Sequence, residues 1–205
     1  MIDEGYIKYQ CNLEQALPPD NEYIAEINFW RQKLYRNNLI GVYKDVGIGF
    51  GNISVRHPDN KQHFIISGTQ TGHLPKLSNK DYSLVTVCNI GKNYVSCRGL
   101  IKSSSEALTH HIIYGLHNSF NAVVHVHHPQ MWHTFKNTLP TTPADTPYGT
   151  AEMALAVKHL YDTNALNERI IIMAGHEDGI ITFGNNLAEA SDVLFHYLSK
   201  IQDVL

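Results

Sequence analysis

Between residues 50 and 97 the sequence carries four short runs, FGNISVR, HFIIS, YSLVTVCNI and YVSC, separated by glycine, asparagine, proline or lysine. Each is rich in β-branched and aromatic residues, too short for a helix and bounded by turn formers, which predicts strands in hairpin-like order. Helical periodicity flanks this block. Asp20, after Pro18 and Pro19, is a candidate N-cap for a helix running to about Asn38, with Ile24, Ile27 and Leu34 on one face. Beyond the strands, SSSEALTHHIIYGLHNSF predicts a serine-capped helix with Ala107, Leu108, Ile112 and Leu116 inward. AVVHVH, RIIIMA and GIITFG follow as strands, with GTAEMALAVKHLYD and LAEASDVLFHYLSKIQDVL as helices. Strict βαβ alternation is absent, which excludes a Rossmann-type fold and favours a helix-flanked, largely antiparallel sheet. Residues 1–20 read as an irregular N-terminal extension, and residues 21–205 as a single domain, since no repeat or linker divides them.

Composition narrows the function classes. The net charge of −3 and the lack of any Lys/Arg-rich run exclude a nucleic-acid footprint or a polybasic membrane surface. No apolar stretch approaches the roughly 18 residues of a membrane span. The opening MIDEGYIKYQ carries acids and no apolar core of a signal peptide. Cys11, Cys88 and Cys97 show no CxxC spacing, so neither a disulfide framework nor a cysteine-based zinc site is expected. The expectation is a soluble cytoplasmic protein.

The chemistry concentrates in a few stretches. In AVVHVH the two-residue period puts Val123, His125 and His127 on one strand face and turns Val124 and Val126 to the other, toward the core. Two imidazoles at i and i+2 can converge on one metal ion, or form a hydrogen-bonded pair at a strand end. His128 and His133 lie off that face or past Pro129. His176, in IIIMAGHEDG, sits where an apolar strand runs into a glycine-bounded turn; it is either a third ligand facing a cleft or a solvated turn residue. Ser103, Ser104 and Ser105 precede a helix, where unpaired N–H groups and the macrodipole favour an anion such as phosphate. Glu106 follows them as a candidate general acid/base, or as an exposed capping residue. GIGFGNISVR and SGTQTG add Asn52, Ser54, Thr69, Thr71 and Gly72 in small-residue loops that can approach an anion closely, although hairpins need glycine too.

In this order, these stretches resemble the class II aldolase/adducin family over roughly residues 22–200. GFGNISVR is similar to the family's G-N-[IV]-S loop, and TQTGHLPKLS to its T-P-[ST]-G segment with Gln70 in place of proline. SSEALTHHIIY and NAVVHVHHP resemble its S-S-E helix and H-x-H strand. The resemblance implies a three-layer α/β/α sandwich around a mainly antiparallel sheet, assembled as a homotetramer with active sites between subunits. It implies zinc, or another divalent ion such as manganese, on His125, His127 and His176, with Glu106 as the catalytic acid/base. Asn52, Thr71, Gly72, Ser104 and Ser105 match positions that hold a substrate phosphate, and His110 matches a recurrent helix histidine of structural role. The implied activity is a lyase cleaving a small phosphorylated ketose through a metal-stabilised enediolate. A phosphosugar epimerase or dehydratase, and a non-catalytic adducin-like assembly module, are the alternatives; adducin-type domains lose the ligands that this chain keeps. The sequence departs from family aldolases after His127, where the chain is shorter and a catalytic tyrosine is missing; Tyr148 lies nearby without matching its position.

Overall fold

The strand-rich block folds as its pattern dictates, but at the heart of a wider sheet. The computed structural model describes residues 5–202. In chain order the elements are β1 (Gln10–Gln15), α1 (Asn21–Arg36), β2 (Gly41–Tyr43), β3 (Ile48–Phe50), β4 (Asn52–Arg56) and β5 (Phe64–Ser67). They continue with β6 (Tyr82–Asn89), β7 (Tyr94–Gly99), α2 (Ala107–Leu116), β8 (Ala122–His127) and α3 (Pro129–Phe135). α4 (Ala151–Asp162), β9 (Ile170–Ile172), β10 (Gly179–Gly184) and α5 (Leu187–Gln202) complete the described chain. Eight strands form one sheet in the order β1-β7-β6-β5-β4-β8-β10-β9, and β2 and β3 form a separate hairpin. Every pairing in the large sheet is antiparallel except β1 with β7. The fold is therefore α/β with a large, mostly antiparallel sheet, as expected, and five α-helices among the described residues, one more than the sequence pattern suggested.

Side-chain alternation divides the core in two. Ile53, Ile65, Val124, Val126 and Ile180 pack with Ile24, Ile27 and Leu34 of α1, Met131 of α3 and Leu194 of α5. Ile66, Val85, Val123, Ile181 and Phe183 pack with Leu108 and Ile113 of α2 and Met153 and Val157 of α4. β8 is buried along its whole length because β4 and β10 flank it and apolar clusters claim both its faces. Val124 and Val126 do enter the core, as the period predicts, but Val123 is equally buried in the opposite cluster. No helix among the described residues is long and apolar enough to cross a membrane.

Three local expectations need correction, and one helix appears that no sequence pattern announced. Gln10–Gln15 is not irregular: it pairs in parallel with β7, an edge pairing between segments so distant in sequence that no local turn announces it. The serines do not cap α2. Glu106 occupies the N-cap position, while Ser103 bridges to Gly68 and the Ser104 hydroxyl accepts from the Glu106 N–H. The inner face of α2 is also rotated, since Ile113 and Tyr114 are buried where Ile112 and Leu116 are only half-buried. Finally, Pro129–Phe135 forms α3, with Pro129 in its first turn and His128 at its N-cap accepting the Met131 N–H through Nδ1.

Candidate active site

The register of β8 assembles the histidines. His125 lies opposite Asn52 on β4 and Ile181 on β10, and His127 lies opposite Gly179. The turn joining β9 to β10 then folds over this end of β8: the His176 N–H donates to the Met173 carbonyl, and the Gly179 N–H to the His176 carbonyl. Glycine is required at Gly175, and at Gly179 a side chain would press on His176. A Cβ on Gly175 would lie 1.9 Å from the Thr146 carbonyl oxygen, and one on Gly179 would lie 3.1 Å from the His176 ring. His176 thereby faces His125 and His127, with ring centroids 5.0 and 4.6 Å away.

The three side chains have the form of a ligand set. One ring nitrogen from each lies within 4.8 Å of the others, and Nε2 of His125 and His127 are 3.1 Å apart. Two nitrogens each about 2.0–2.1 Å from a tetrahedral ion would lie about 3.3 Å apart, so the spacing suits one small cation. His125 Nδ1 meets the Ile180 carbonyl at 3.2 Å. Because a carbonyl only accepts, Nδ1 carries the proton and the Nε2 lone pair is left for an ion. His127 Nδ1 is 2.7 Å from the Tyr43 hydroxyl, which fixes that ring through its other nitrogen. Burial, reinforced by the neighbouring His176, pushes the pKa of both His125 and His127 well below the usual imidazole range. They are neutral, the form that ligates a metal.

Glu106 completes the polar centre. It is buried; one carboxylate oxygen accepts from the Thr109 hydroxyl at 2.9 Å, and the other lies 3.6 Å from His176 Nδ1. Beside it runs a small polar cleft lined by Asn52, Thr71, Gly72, Ser104, Ser105, Glu106 and His125. All five residues singled out for phosphate thus share one cavity with the carboxylate and a triad histidine. Thr71 spends its hydroxyl on the Gly68 carbonyl, so its side chain shapes the turn, leaving an approaching anion to the backbone. Gly72 permits the close packing of this loop: a Cβ there would lie 2.3 Å from the Gly41 carbonyl oxygen and 2.7 Å from the Phe50 nitrogen.

The other histidines separate as expected. His110 is fully buried, with Nδ1 2.7 Å from the Ser54 hydroxyl, which in turn meets the Tyr114 hydroxyl at 2.6 Å. Burial holds its pKa down to about 3. His128 is a helix cap and His133 is exposed.

Sequence reasoning missed several neighbours of the site. Tyr43 reaches His127 from the β2–β3 hairpin, and Tyr148, noted in the sequence without an assigned role, stacks on His176 with centroids 4.4 Å apart. The segment before β1 also crosses the cleft. Gly5 lines it, with its carbonyl accepting from Gln70 Nε2 at 2.8 Å, while Gln70 Oε1 accepts from the Gly49 N–H at 3.0 Å. Further along, the Tyr6 N–H donates to the Tyr148 hydroxyl, and the Tyr9 hydroxyl donates to the Ser104 carbonyl at 2.7 Å. The one available hint was Gln70 in place of proline: proline could not have made either amide contact.

Comparison with known proteins agrees with this architecture. The chain matches the family described as Class II Aldolase and Adducin N-terminal domain over residues 35–200, and it belongs to that family. Among solved structures it is similar to an L-fuculose 1-phosphate aldolase, at 23% identity, covering 91% of this chain and 87% of that one with a TM-score of 0.65. It is also similar to a sugar-phosphate aldolase from Thermotoga maritima, at 19% identity, 86% and 90% coverage and a TM-score of 0.60. The N-terminal class II aldolase domain of a conserved protein from Thermoplasma acidophilum aligns at 15% identity, over 92% and 96% of the two chains, with a TM-score of 0.56. At these identities the likeness is one of fold. No curated protein matches the sequence.

Proposed function

We propose that the protein is a metal-dependent, aldolase-type lyase that cleaves a small phosphorylated ketose. The observation that carries this reading is the convergence of His125, His127 and His176 with Glu106 on a cleft lined by Asn52, Thr71, Gly72, Ser104 and Ser105. The two core clusters, with α1, α3 and α5 in one and α2 and α4 in the other, support a three-layer α/β/α sandwich. A single domain over residues 21–205, here joined by β1, a cytoplasmic location and a homotetramer with active sites between subunits complete the proposal.

The triad would hold a divalent cation, zinc or manganese, through neutral imidazoles. When bound, the ion supplies Lewis-acid stabilisation of negative charge developing at the substrate carbonyl. The chain's own groups do the rest. The Ser104-Ser105 segment, Asn52 and the Thr71-Gly72 backbone grip the phosphate and so fix the sugar carbons against Glu106. As the carbon–carbon bond breaks, the hydroxyl on the departing carbon passes its proton to the ionised Glu106 carboxylate, and that carbon leaves as an aldehyde. The electron pair stays on the carbon next to the carbonyl, and Glu106 delivers a proton there. Its burial excludes competing water from that transfer.

Incubating the purified protein with ketose phosphates and assaying released aldehyde tests this reading. Conversion without aldehyde would favour the epimerase or dehydratase alternative. No turnover, with no stoichiometric divalent metal in the protein, would leave the assembly-module reading. Metal analysis of His127→Ala should show near-complete loss of the ion with the fold retained by circular dichroism. Retained metal would remove His127 from the ligand set.

A further inference from the structure

Among the described residues only two Asp, Glu, Lys or Arg side chains are buried, Glu106 at 1% exposure and Arg31 at 1%. Glu106 lines the cleft; Arg31 reaches the same loop from behind. It projects from α1, and its Nη2 donates to the Thr71 carbonyl at 2.8 Å and the Gly72 carbonyl at 3.5 Å. Its Nη1 is buried with no hydrogen-bond partner among the described residues. No carboxylate among the described residues forms an ion pair with it; Asp81 acts on it only from beyond ion-pair distance, and burial outweighs that attraction. A buried guanidinium without an ion-pair partner is costly unless a closer anion compensates it.

Peptide geometry says where that anion would be. In a trans peptide the C=O and the following N–H point in opposite directions. Carbonyls of Thr71 and Gly72 turned toward Arg31 therefore turn the N–H groups of Gly72 and His73 away from it. Gly72 N lies on the side of Gly49, 3.0 Å from where a Cβ on that residue would stand, and Gly49 and Gly72 both line the cleft.

We infer that Arg31 is a positioning residue of the anion pocket, holding the Thr71-Gly72 carbonyls so that the loop presents N–H groups to a phosphate, and that its buried charge is compensated by the phosphate that enters. This rests on the phosphate reading of the cleft proposed above and extends it to a residue that never touches substrate. At an effective dielectric near 20, one charge across a single peptide layer changes anion affinity roughly 10- to 100-fold.

The test is a titration with inorganic phosphate, followed by thermal midpoint at constant ionic strength made up with chloride, on wild type, Arg31→Gln and Arg31→Lys. The Gln variant is expected to bind phosphate roughly 10- to 100-fold more weakly, with little change of midpoint in chloride alone, and the Lys variant to recover part of the affinity. A merely structural role gives the reverse: a lower midpoint in chloride and an unchanged phosphate response, which overturns the inference. Should the Gln variant fail to fold, Arg31→Met takes its place, and wild-type phosphate affinity in that uncharged variant would overturn the role. No phosphate response in wild type would overturn the anion pocket itself and Arg31's role with it. That outcome differs from the Arg31-specific failure, in which wild type responds and both variants respond equally.

Discussion

Glu106 and Gly72 show how much one atom can decide in this cleft. Replacing Glu106 by Gln keeps its shape and its contact with Thr109 but removes the transferable proton. We therefore predict that Glu106→Gln retains metal and loses lyase activity by about 10²-fold or more; activity at the wild-type level would remove Glu106 from the proton transfer. Gly72→Ala sets a methyl against the Gly41 and Phe50 backbone, which cannot yield cheaply. Its expected cost is about 1–3 kcal/mol in urea denaturation, accompanied by loss of phosphate binding. His110 sets a pH dependence. An unfolded histidine takes up its proton near 6.5, while buried His110 resists until about pH 3, so between these values the unfolded chain binds more protons. Stability should fall as pH drops from about 6.5 toward 3, by up to about 1.4 kcal/mol per pH unit for this residue. A urea midpoint that is flat between pH 7 and pH 5 would contradict a neutral His110. At this scale the H-x-H pair, the S-S-E stretch and the G-N-I-S loop were legible because each carries its chemistry within a few residues. Arg31, Tyr43 and Tyr148 were not: they meet the site only through contacts 40, 84 and 28 positions away in sequence, to Thr71, His127 and His176.

Among elements, periodicity read well wherever one face packs and the other is wet. α1 shows this, burying Ile24, Ile27 and Leu34 as expected. It read poorly where both sides are covered. Burial all along β8 erased the difference between its faces, and in α2 the polar Thr109 and His110 are buried beside Ile113 and Tyr114, so its covered face is not the apolar stripe alone. α5 packs across the cluster shared by β8 and β10 through Leu187, Ala190 and Leu194. Leu194→Ala should cost about 2–5 kcal/mol in urea denaturation while leaving metal content per folded protein unchanged. A concomitant loss of metal in the folded fraction would mean that the cluster tunes the ligand geometry as well as the core.

For the whole molecule, sheet class and the order of the elements were readable, but closure at the edge was not. β1 and the segment before it join the sheet and the cleft only through pairings spanning 65 positions or more, which leave no local mark. The two halves of the site therefore rest on unequal ground. Two of the three histidines, His125 and His127, are anchored to β8, laddered on both sides and buried throughout, so the backbone amides of that strand should exchange with deuterium only by global opening. The cleft's outer rim instead leans on Gly5 and Tyr6, tethered by single hydrogen bonds to Gln70 and Tyr148. Under mild denaturant this rim should fray well before the ladder opens. On the proposed reading, a partly opened population would then keep the cation held by the triad while admitting solvent to the proposed phosphate side. Such a molecule would fail first in its grip on substrate and only much later in its chemistry.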